Sequence, residues 1–273
     1  MTFPVRFSTP RTGEETKVDT AFLERMDREL SGWTNPAIFL RNQLEHDGFA
    51  LYCQPILGVV DARAPMAESL VRMHEEEETM LPPGSFLPAF EHCRMLPQLD
   101  RWVVRRVLEQ LKRGSRFPRF TVNVSSQTLL DGAFPQFVAE ELRRTGVSEE
   151  ALVFEVDEDD MLERIEVVTR FTRLMKAVGT SIMIDSFARR STTFAPLANL
   201  PVDFLKVDGS LIRKLISSEQ AQRKLRAIIE VARRVGYGVV AECVEEEEII
   251  ERLKFFGVDY AQGFAVGEPI PAS

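Results

Sequence analysis

The stretch from Ala151 to Ser186, ALVFEVDEDDMLERIEVVTRFTRLMKAVGTSIMIDS, holds two short β-branched runs separated by a longer segment. In that longer segment, between Asp160 and Val178, apolar residues recur close to the 3.6-residue period of a helix. A strand, a helix and a second strand in this order predict a βαβ unit, whose two strands lie parallel in one sheet.

The same alternation continues along most of the chain. Predicted strands begin at Phe49, Ala64, Arg119, Ala151, Thr180, Val202, Tyr237 and Val258. Predicted helices span 101–113, 160–178, 223–235 and 245–256. Because a TIM-like (β/α)8 barrel needs about 250 residues, some eight strands in this length favour a closed barrel over an open sheet. The long interval from Met73 to Arg119 makes the repeat irregular near its start.

Two domain-level segments follow from this pattern. Residues 1–35 are polar, with a short helical pattern from Thr20 to Leu30, and we expect a tail and a packing helix there. Residues 36–273 are expected to form the barrel domain. No low-complexity linker divides them.

Composition excludes several classes of function. The net charge is -8, from 42 Asp and Glu against 34 Lys and Arg, so DNA, which needs a basic face, is not expected as a partner. There is no apolar run of about 18 residues, so we expect no membrane insertion, and the N-terminus lacks the apolar stretch of a secretory signal. Three scattered cysteines suggest a reducing compartment and hence a cytoplasmic protein.

Polar side chains stand at the end of nearly every predicted strand. They are Gln54, Glu68, Asn123, Glu155, Asp185, Lys206 with Asp208, Glu242 with Glu245, and Gln262. In a parallel barrel the C-terminal strand ends share one face, which is where active sites lie. Four oxygen-bearing side chains there could converge on one divalent cation: Glu68, Asn123, Glu155 and Asp185. Hard oxygen ligands favour Mg²⁺, Mn²⁺ or Ca²⁺.

Each of these residues, taken alone, has an ordinary structural interpretation. A single carboxylate at a strand end is more often a helix N-cap or a surface charge. Lys206 could pair with Asp208 or another carboxylate, and Asn123 could form an Asx turn with the serines that follow it. The functional hypothesis rests on the whole set, since nearly every strand ends in a residue capable of metal or proton chemistry.

In this ordered set the chain resembles the EAL domain family, the cyclic di-GMP phosphodiesterases of bacterial second-messenger signalling. The matching blocks run from about Leu51 to Ala272 and include YCQPI at Tyr52, ESLVR at Glu68, VNVS at Val122, FEVDE at Phe154, IDSF at Ile184, LKVD at Leu205, AECVE at Ala241 and QGF at Gln262. The resemblance implies a modified (β/α)8 barrel of the EAL type with one antiparallel strand.

The resemblance also implies a role for each matching residue. Metal ligands would be Glu68, Asn123, Glu155 and Asp185. Catalytic residues would be Glu68, Lys206 and Glu242, with Lys206 positioning the attacking water. Ligand-binding residues would be Gln54, Leu70, Arg72 and Gln262, and the ligand would be cyclic di-GMP. The cofactor would be Mg²⁺ or Mn²⁺, with Ca²⁺ as a further option, at one complete site.

The loop after the fifth predicted strand departs from the family pattern. Where the family has Asp-Asp-Phe-Gly-Thr-Gly, this chain has Asp185-Ser186-Phe187-Ala188-Arg189-Arg190. The second aspartate, a ligand of the second cation, is a serine, whose neutral hydroxyl is a poorer Mg²⁺ ligand. Because alanine and arginine reach positive φ at greater cost than glycine, we expect the loop to take another path.

Three hypotheses follow from these matches and departures. The first is a degenerate EAL domain that binds cyclic di-GMP as a signalling or effector module with weak or no hydrolysis. The second is an active metal-dependent phosphodiesterase that gives pGpG. The third is a protein-interaction module that binds no nucleotide. The resemblance also implies a homodimer formed through helices next to the altered loop, and a protein partner is a further possibility.

Overall fold

A computed structural model describes residues 35–46, 48–61, 63, 65–74, 80–190 and 193–272. The predicted tail and the helix from Thr20 to Leu30 lie outside these residues. Within the described ranges, no helix combines the length and the apolar composition needed to cross a bilayer.

The described chain contains ten strands and ten α-helices. The strands are β1 (Phe49–Gly58), β2 (Met66–His74), β3 (Met80–Leu81), β4 (Phe120–Asn123), β5 (Leu152–Asp157), β6 (Ser181–Phe187), β7 (Phe204–Val207), β8 (Gly238–Ala241), β9 (Tyr260–Ala261) and β10 (Ile270–Pro271). The helices are α1 (Pro36–Glu45), α2 (Pro83–His92), α3 (Leu96–Gly114), α4 (Ser126–Leu129), α5 (Phe134–Thr145), α6 (Glu158–Glu163), α7 (Ile165–Val178), α8 (Gly209–Ile212), α9 (Glu219–Val235) and α10 (Glu247–Phe256).

The described residues divide into two compact units, of which the first contains residues 35–46, 48–50, 71–74 and 80–99. In the described part of this unit, Asn35 caps α1 by accepting a hydrogen bond from the Ile38 N–H at 3.2 Å. Phe49 packs edge-to-face against Phe86 and Phe90 of α2, with ring centroids 5.4 and 5.7 Å apart. These aromatic contacts form the core of the first unit.

The second unit, residues 51–70 and 100–273, contains the barrel. Its strands follow the order β1-β9-β8-β7-β6-β5-β4-β2, and the pairing of β1 with β2 closes the ring. Neighbouring strands from β2 through β9 are parallel, whereas β1 runs antiparallel to β9. The prediction of a (β/α)8 barrel with one antiparallel strand is therefore confirmed.

The strands place alternate residues inside and outside the barrel. Five fully buried side chains from five strands fill the interior, namely Ile56, Met66, Val153, Met183 and Val240. Phe154, which follows one of them, points outward and packs edge-to-face on Phe134 of α5 at 5.9 Å, and Phe134 in turn contacts Phe171 of α7. This period of two fixes which strand residues can reach the barrel axis.

Several predicted boundaries were wrong. The single helix predicted from Asp160 to Val178 is two helices, α6 and α7, separated at Arg164, whose φ of -134° and ψ of 43° are not helical. The interval from Met73 to Arg119 breaks the repeat because it contains β3, α2 and α3. No helix had been predicted at α1, α2, α4, α5 or α8, and no strand at β3 or β10.

The contact between the barrel and its outer helices is testable at Phe154. We expect Phe154→Ala to lower the free energy of unfolding by about 3–5 kcal/mol, because it empties the space between β5 and α5. Phe264→Ala, at a position 65% exposed, is the matched control and should change it by about 0.5 kcal/mol or less. Urea denaturation measures both, and equal effects would contradict the described packing.

Candidate functional site

A ring of polar side chains lies one layer above the apolar interior of the barrel. Glu155 follows Val153 by two residues, and Asp185 likewise follows Met183, so strand alternation keeps each pair on the inner face. The other ring residues likewise lie two positions after an inward-facing residue of their strand. On β1, which runs antiparallel, Gln54 instead lies two positions before Ile56. This polar ring consists of Gln54, Glu68, Asn123, Glu155, Asp185, Lys206, Glu242 and Gln262. Eight residues predicted from separate sequence blocks therefore stand in one layer.

Lys206 lies among three carboxylates of the polar ring. Its Nζ is 2.7 Å from Glu68 Oε2, 2.9 Å from Glu155 Oε2 and 3.6 Å from Asp185 Oδ1, and the residue is only 2% exposed. Asp208 accepts a hydrogen bond from the Ser210 N–H and caps α8. The predicted convergence of acidic side chains from separate strands is thus seen around one ammonium group.

Glu68 connects the carboxylates around Lys206 to the amide side chains of the polar ring. Its Oε1 accepts a hydrogen bond from Asn123 Nδ2 at 2.9 Å, and its Oε2 accepts one from Gln262 Nε2 at 2.7 Å. Gln262 also donates to Gln54 Oε1 at 3.2 Å, and Gln54 donates to the carbonyl of Gly267 at 3.0 Å. The side chain of Asn123 is therefore directed at Glu68 and belongs to this network.

The turn after Asn123 is fixed by a carboxylate that the sequence analysis missed. Oδ2 of buried Asp100 accepts hydrogen bonds from the Ser125 N–H at 3.0 Å, the Ser125 hydroxyl at 2.8 Å and the Thr128 hydroxyl at 2.6 Å. These bonds hold the start of α4 and with it the end of β4. Asp100 lies in the first part of α3, just before the helix predicted over 101–113, and a single polar residue there carried no separate signal.

The polar ring holds more negative charge than one ammonium group balances. Burial, together with the charges of Glu68 and Asp185, raises the pKa of Glu155 to about 8 despite the opposing effect of Lys206. Burial also raises the pKa of Asp185. Burial opposes ionisation of Glu68, but Lys206 and three hydrogen bonds outweigh it and lower its pKa. The pKa of Lys206 lies well above its usual value, because the surrounding carboxylates outweigh the effect of burial.

Two carboxylate oxygens of the ring lack hydrogen-bond donors. Glu155 Oε1 and Asp185 Oδ1 are buried and accept no hydrogen bond from the described residues. Anionic oxygens in this state fit a hard divalent cation, and Glu68, Asn123, Glu155 and Asp185 could hold it. Among the described residues, no three acidic, histidine or cysteine side chains are already arranged as a set of metal ligands. These side chains would therefore have to shift around Lys206 as a cation binds.

Glu242 supplies a further carboxyl group at the ring. Its Oε1 accepts a hydrogen bond from the Gly209 N–H at 2.7 Å. Burial and the charge of Asp185 raise the pKa of Glu242 to about 7, so it can exchange a proton near neutral pH. Gly209 permits the close approach of the neighbouring residue Cys243, because a Cβ at position 209 would lie 2.6 Å from Cys243 Sγ.

The loop after β6 carries backbone strain. The register between β6 and β7 shifts between Ile184 and Phe187, so Asp185 and Ser186 form a bulge. Ser186 has φ 55° and Ala188 has φ 68°, left-handed values that cost a residue with a Cβ about 1–2 kcal/mol. The expectation that Ala188 would avoid the left-handed region was wrong.

The carboxylate of buried Glu158 binds the backbone of this loop. Its two oxygens accept hydrogen bonds from the Ala188 N–H at 2.9 Å and the Arg190 N–H at 3.1 Å. These bonds compensate part of the strain at Ala188. Glu158 was not singled out from the sequence, where it stood only as the last residue of a predicted strand.

The remaining residues discussed from the sequence are Ser186, Leu70 and Arg72, which lie in different parts of the structure. Ser186 is 3% exposed, and its hydroxyl donates to Asp185 Oδ2 at 3.4 Å, so a neutral group stands where the family has its second aspartate. Leu70 lies half-buried on β2 in the second unit. Arg72 belongs to the first unit, where it donates to the carbonyl of Val71 at 2.9 Å. The predicted nucleotide contacts of Leu70 and Arg72 stay predictions.

Comparison with known proteins places this geometry in a family. The cyclic di-GMP phosphodiesterase PdeF of Escherichia coli (strain K12) is 32% identical over 250 residues, which are 90% of this chain but only 33% of PdeF, so the chain spans about a third of that relative. The solved PaMucR phosphodiesterase in complex with c-di-GMP superposes with a TM-score of 0.80 at 26% identity, covering 87% of this chain and 98% of the other. The Xanthomonas citri FimX EAL domain in complex with c-di-GMP gives a TM-score of 0.80 at 25% identity, covering 93% and 97%. A family model described as EAL domain matches residues 39–269. The chain therefore belongs to the EAL domain family.

Proposed function

We propose that this domain binds cyclic di-GMP together with Mg²⁺ or Mn²⁺ and hydrolyses it weakly or not at all. The observation that carries the proposal is the pairing of an intact ligand set, Glu68, Asn123, Glu155 and Asp185, with the hydroxyl of Ser186 beside it. Two solved relatives bound to c-di-GMP and a curated relative named a phosphodiesterase support the choice of ligand.

The residues of the polar ring have distinct tasks in this proposal. The four ligands would hold one cation, which would offset the charge of a phosphodiester and polarise it. Lys206 would donate a hydrogen bond to a water or phosphate oxygen from a position fixed by Glu68 and Glu155. Glu242 would exchange a proton at the same mouth. Gln54, Gln262, Leu70 and Arg72 would orient the dinucleotide.

Weak hydrolysis follows from the absence of a carboxylate at position 186, next to Asp185. Cleavage with two cations stabilises both the attacking and the leaving oxygen, so the loss of one cation removes part of that stabilisation. A serine hydroxyl does not replace the charge of an aspartate as a ligand for Mg²⁺. The bulge also directs the Ser186 hydroxyl to Asp185, where it makes a long hydrogen bond.

An active phosphodiesterase giving pGpG is the second candidate. It is favoured by Glu242, whose pKa of about 7 suits proton transfer, and by the intact contacts of Lys206. The homodimer implied by the family resemblance stays a prediction, which the mass of the domain in solution would check.

The altered loop yields a prediction about turnover. We expect calorimetry to detect cyclic di-GMP binding with Mn²⁺, while chromatography detects pGpG at a rate at least about 1,000-fold below that of intact family members, since each tenfold loss corresponds to about 1.4 kcal/mol of lost transition-state stabilisation. Ser186→Asp should raise the rate, because it returns a carboxylate to the second cation. Ser217→Asp adds the same charge at an exposed position and serves as the control.

Two results would contradict this assignment. Turnover of the unaltered chain close to that of intact members would favour the active enzyme. If cyclic di-GMP does not bind in the presence of Mg²⁺, Mn²⁺ or Ca²⁺, the result would favour a protein-interaction module that binds no nucleotide.

The charge balance of the polar ring yields a second prediction. Lys206→Met removes the ammonium group among three buried carboxylates, so we expect the free energy of unfolding to fall by about 3–5 kcal/mol without a divalent cation. Added Mn²⁺ should restore more stability in this variant than in the unaltered chain, because the cation takes over the charge compensation. Thermal unfolding with and without Mn²⁺ measures the difference.

Lys254→Met is the matched control, since Lys254 pairs with Glu251 on the surface of α10. Its stability should change little, with or without Mn²⁺. If Mn²⁺ stabilises Lys206→Met no more than this control, the ring does not hold a cation.

A further inference from the structure

The loop after β6 needs contacts that compensate its strained backbone. Ser186 and Ala188 both adopt left-handed φ values without being glycine. Such conformations persist only where the surrounding structure over-determines them. Glu158 accepts two hydrogen bonds from the backbone of the loop, and the side chains of the two arginines that follow Ala188 make further contacts.

Arg189 is bound on two sides by acidic side chains. Its Nη2 donates to Asp157 Oδ1 at 2.9 Å, its Nη1 donates to Asp157 Oδ2 at 3.3 Å, and Nη2 also contacts Asp159 Oδ2. The Arg189 side chain is only 17% exposed. A bidentate guanidinium–carboxylate pair at this burial holds its geometry far better than a single exposed ion pair.

Arg190 extends the same network along α6. Its Nε lies 2.9 Å from Asp159 Oδ1, and its Nη1 donates to Glu163 Oε1 at 3.0 Å. Asp159 is thus shared between the two arginines. We name Arg189, Arg190, Asp157, Asp159 and Glu163 the arginine clasp.

The arginine clasp is connected to the polar ring through β5 and β6. Asp157 lies opposite Asp185 in the register of these strands and follows Glu155 by two residues. The strained segment from Asp185 to Ala188 therefore begins at a cation ligand and ends at the clasp. Arg189 follows Asp185 by only four residues along this segment.

We propose that Arg189 is a positioning residue for the cation site, which holds the loop after β6 in its left-handed course and so directs Asp185 into the polar ring. This inference rests on the proposed function, because the site that it positions is the proposed cation site. The clasp replaces the conformational freedom that glycine would give at position 188 with an electrostatic restraint. Arg190, at 46% exposure, assists less than Arg189.

The test compares Arg189→Ala and Arg189→Lys with the unaltered chain. Hydrogen exchange should show the amides of Ala188 and Arg190 exchanging about tenfold faster in Arg189→Ala, since their hydrogen bonds to Glu158 depend on the course of the loop. Calorimetry should show Mn²⁺ affinity lowered about tenfold. Arg189→Lys keeps the charge without the bidentate geometry. Its amide exchange and its Mn²⁺ affinity should therefore lie between those of the unaltered chain and those of Arg189→Ala.

Two further variants make the result specific. Ala188→Gly, added to Arg189→Ala, should restore part of the Mn²⁺ affinity, because glycine enters the left-handed region without a steric cost. Arg234→Ala removes the same charge from an exposed pair with Glu230 on α9 and should change neither readout.

The two readouts separate this inference from the proposed function. Unchanged amide exchange in Arg189→Ala overturns the clasp, whatever the affinity for Mn²⁺. Faster exchange with unchanged Mn²⁺ affinity also overturns the positioning role. If the unaltered chain itself binds no Mn²⁺ and no cyclic di-GMP, the proposed function fails and the positioning role fails with it, even where faster exchange still supports the restraint of the loop.

Discussion

The alternation of side chains along closed strands is the constraint on which the site depends. Once β1 pairs with both β2 and β9, each inward position is committed to the barrel axis, and residues two apart share that axis. The layer of Ile56, Met66, Val153, Met183 and Val240 excludes water and fixes the strands. The next layer has to be polar at the mouth of the barrel, where carboxylates from different strands meet at hydrogen-bond distance.

Gathering carboxylates in this way creates a charge problem that governs the chemistry of the mouth. Lys206 neutralises one unit of charge but faces Glu68, Glu155 and Asp185 together. Burial, together with the remaining negative charge, raises the pKa of Glu155 to about 8 and that of Glu242 to about 7. A site of this kind takes up either protons or a cation, because desolvated negative charge has to be offset by one or the other. The proposed affinity for a divalent ion and proton exchange near neutral pH would therefore have the same origin.

The sequence predicted the barrel and the polar ring because both follow from periodic, local patterns. Each strand end could be located from its own short block, and the shared face of a parallel barrel brought the blocks together. The hydrogen bonds of Asp100 and Glu158 could not be predicted in this way, since each depends on a turn from another part of the chain. The prediction for the backbone of Ala188 was wrong for the same reason. Intrinsic preference disfavours positive φ for alanine, and the contacts that override that preference lie on β5 and α6.

The altered loop shows how several departures from the family pattern in one segment act on different properties. Ser186 changes what the loop offers to a ligand, since a hydroxyl replaces a charge next to Asp185. Ala188 and the two arginines leave that chemistry alone and change what holds the backbone, from the freedom of glycine to ion pairs with Asp157, Asp159 and Glu163. Loss of glycine alone would favour a displaced loop and a misdirected Asp185. In the proposed arrangement the arginines bind the acidic turn after β5 and keep Asp185 beside Lys206, so the residues proposed to hold one cation stay together next to the altered position 186.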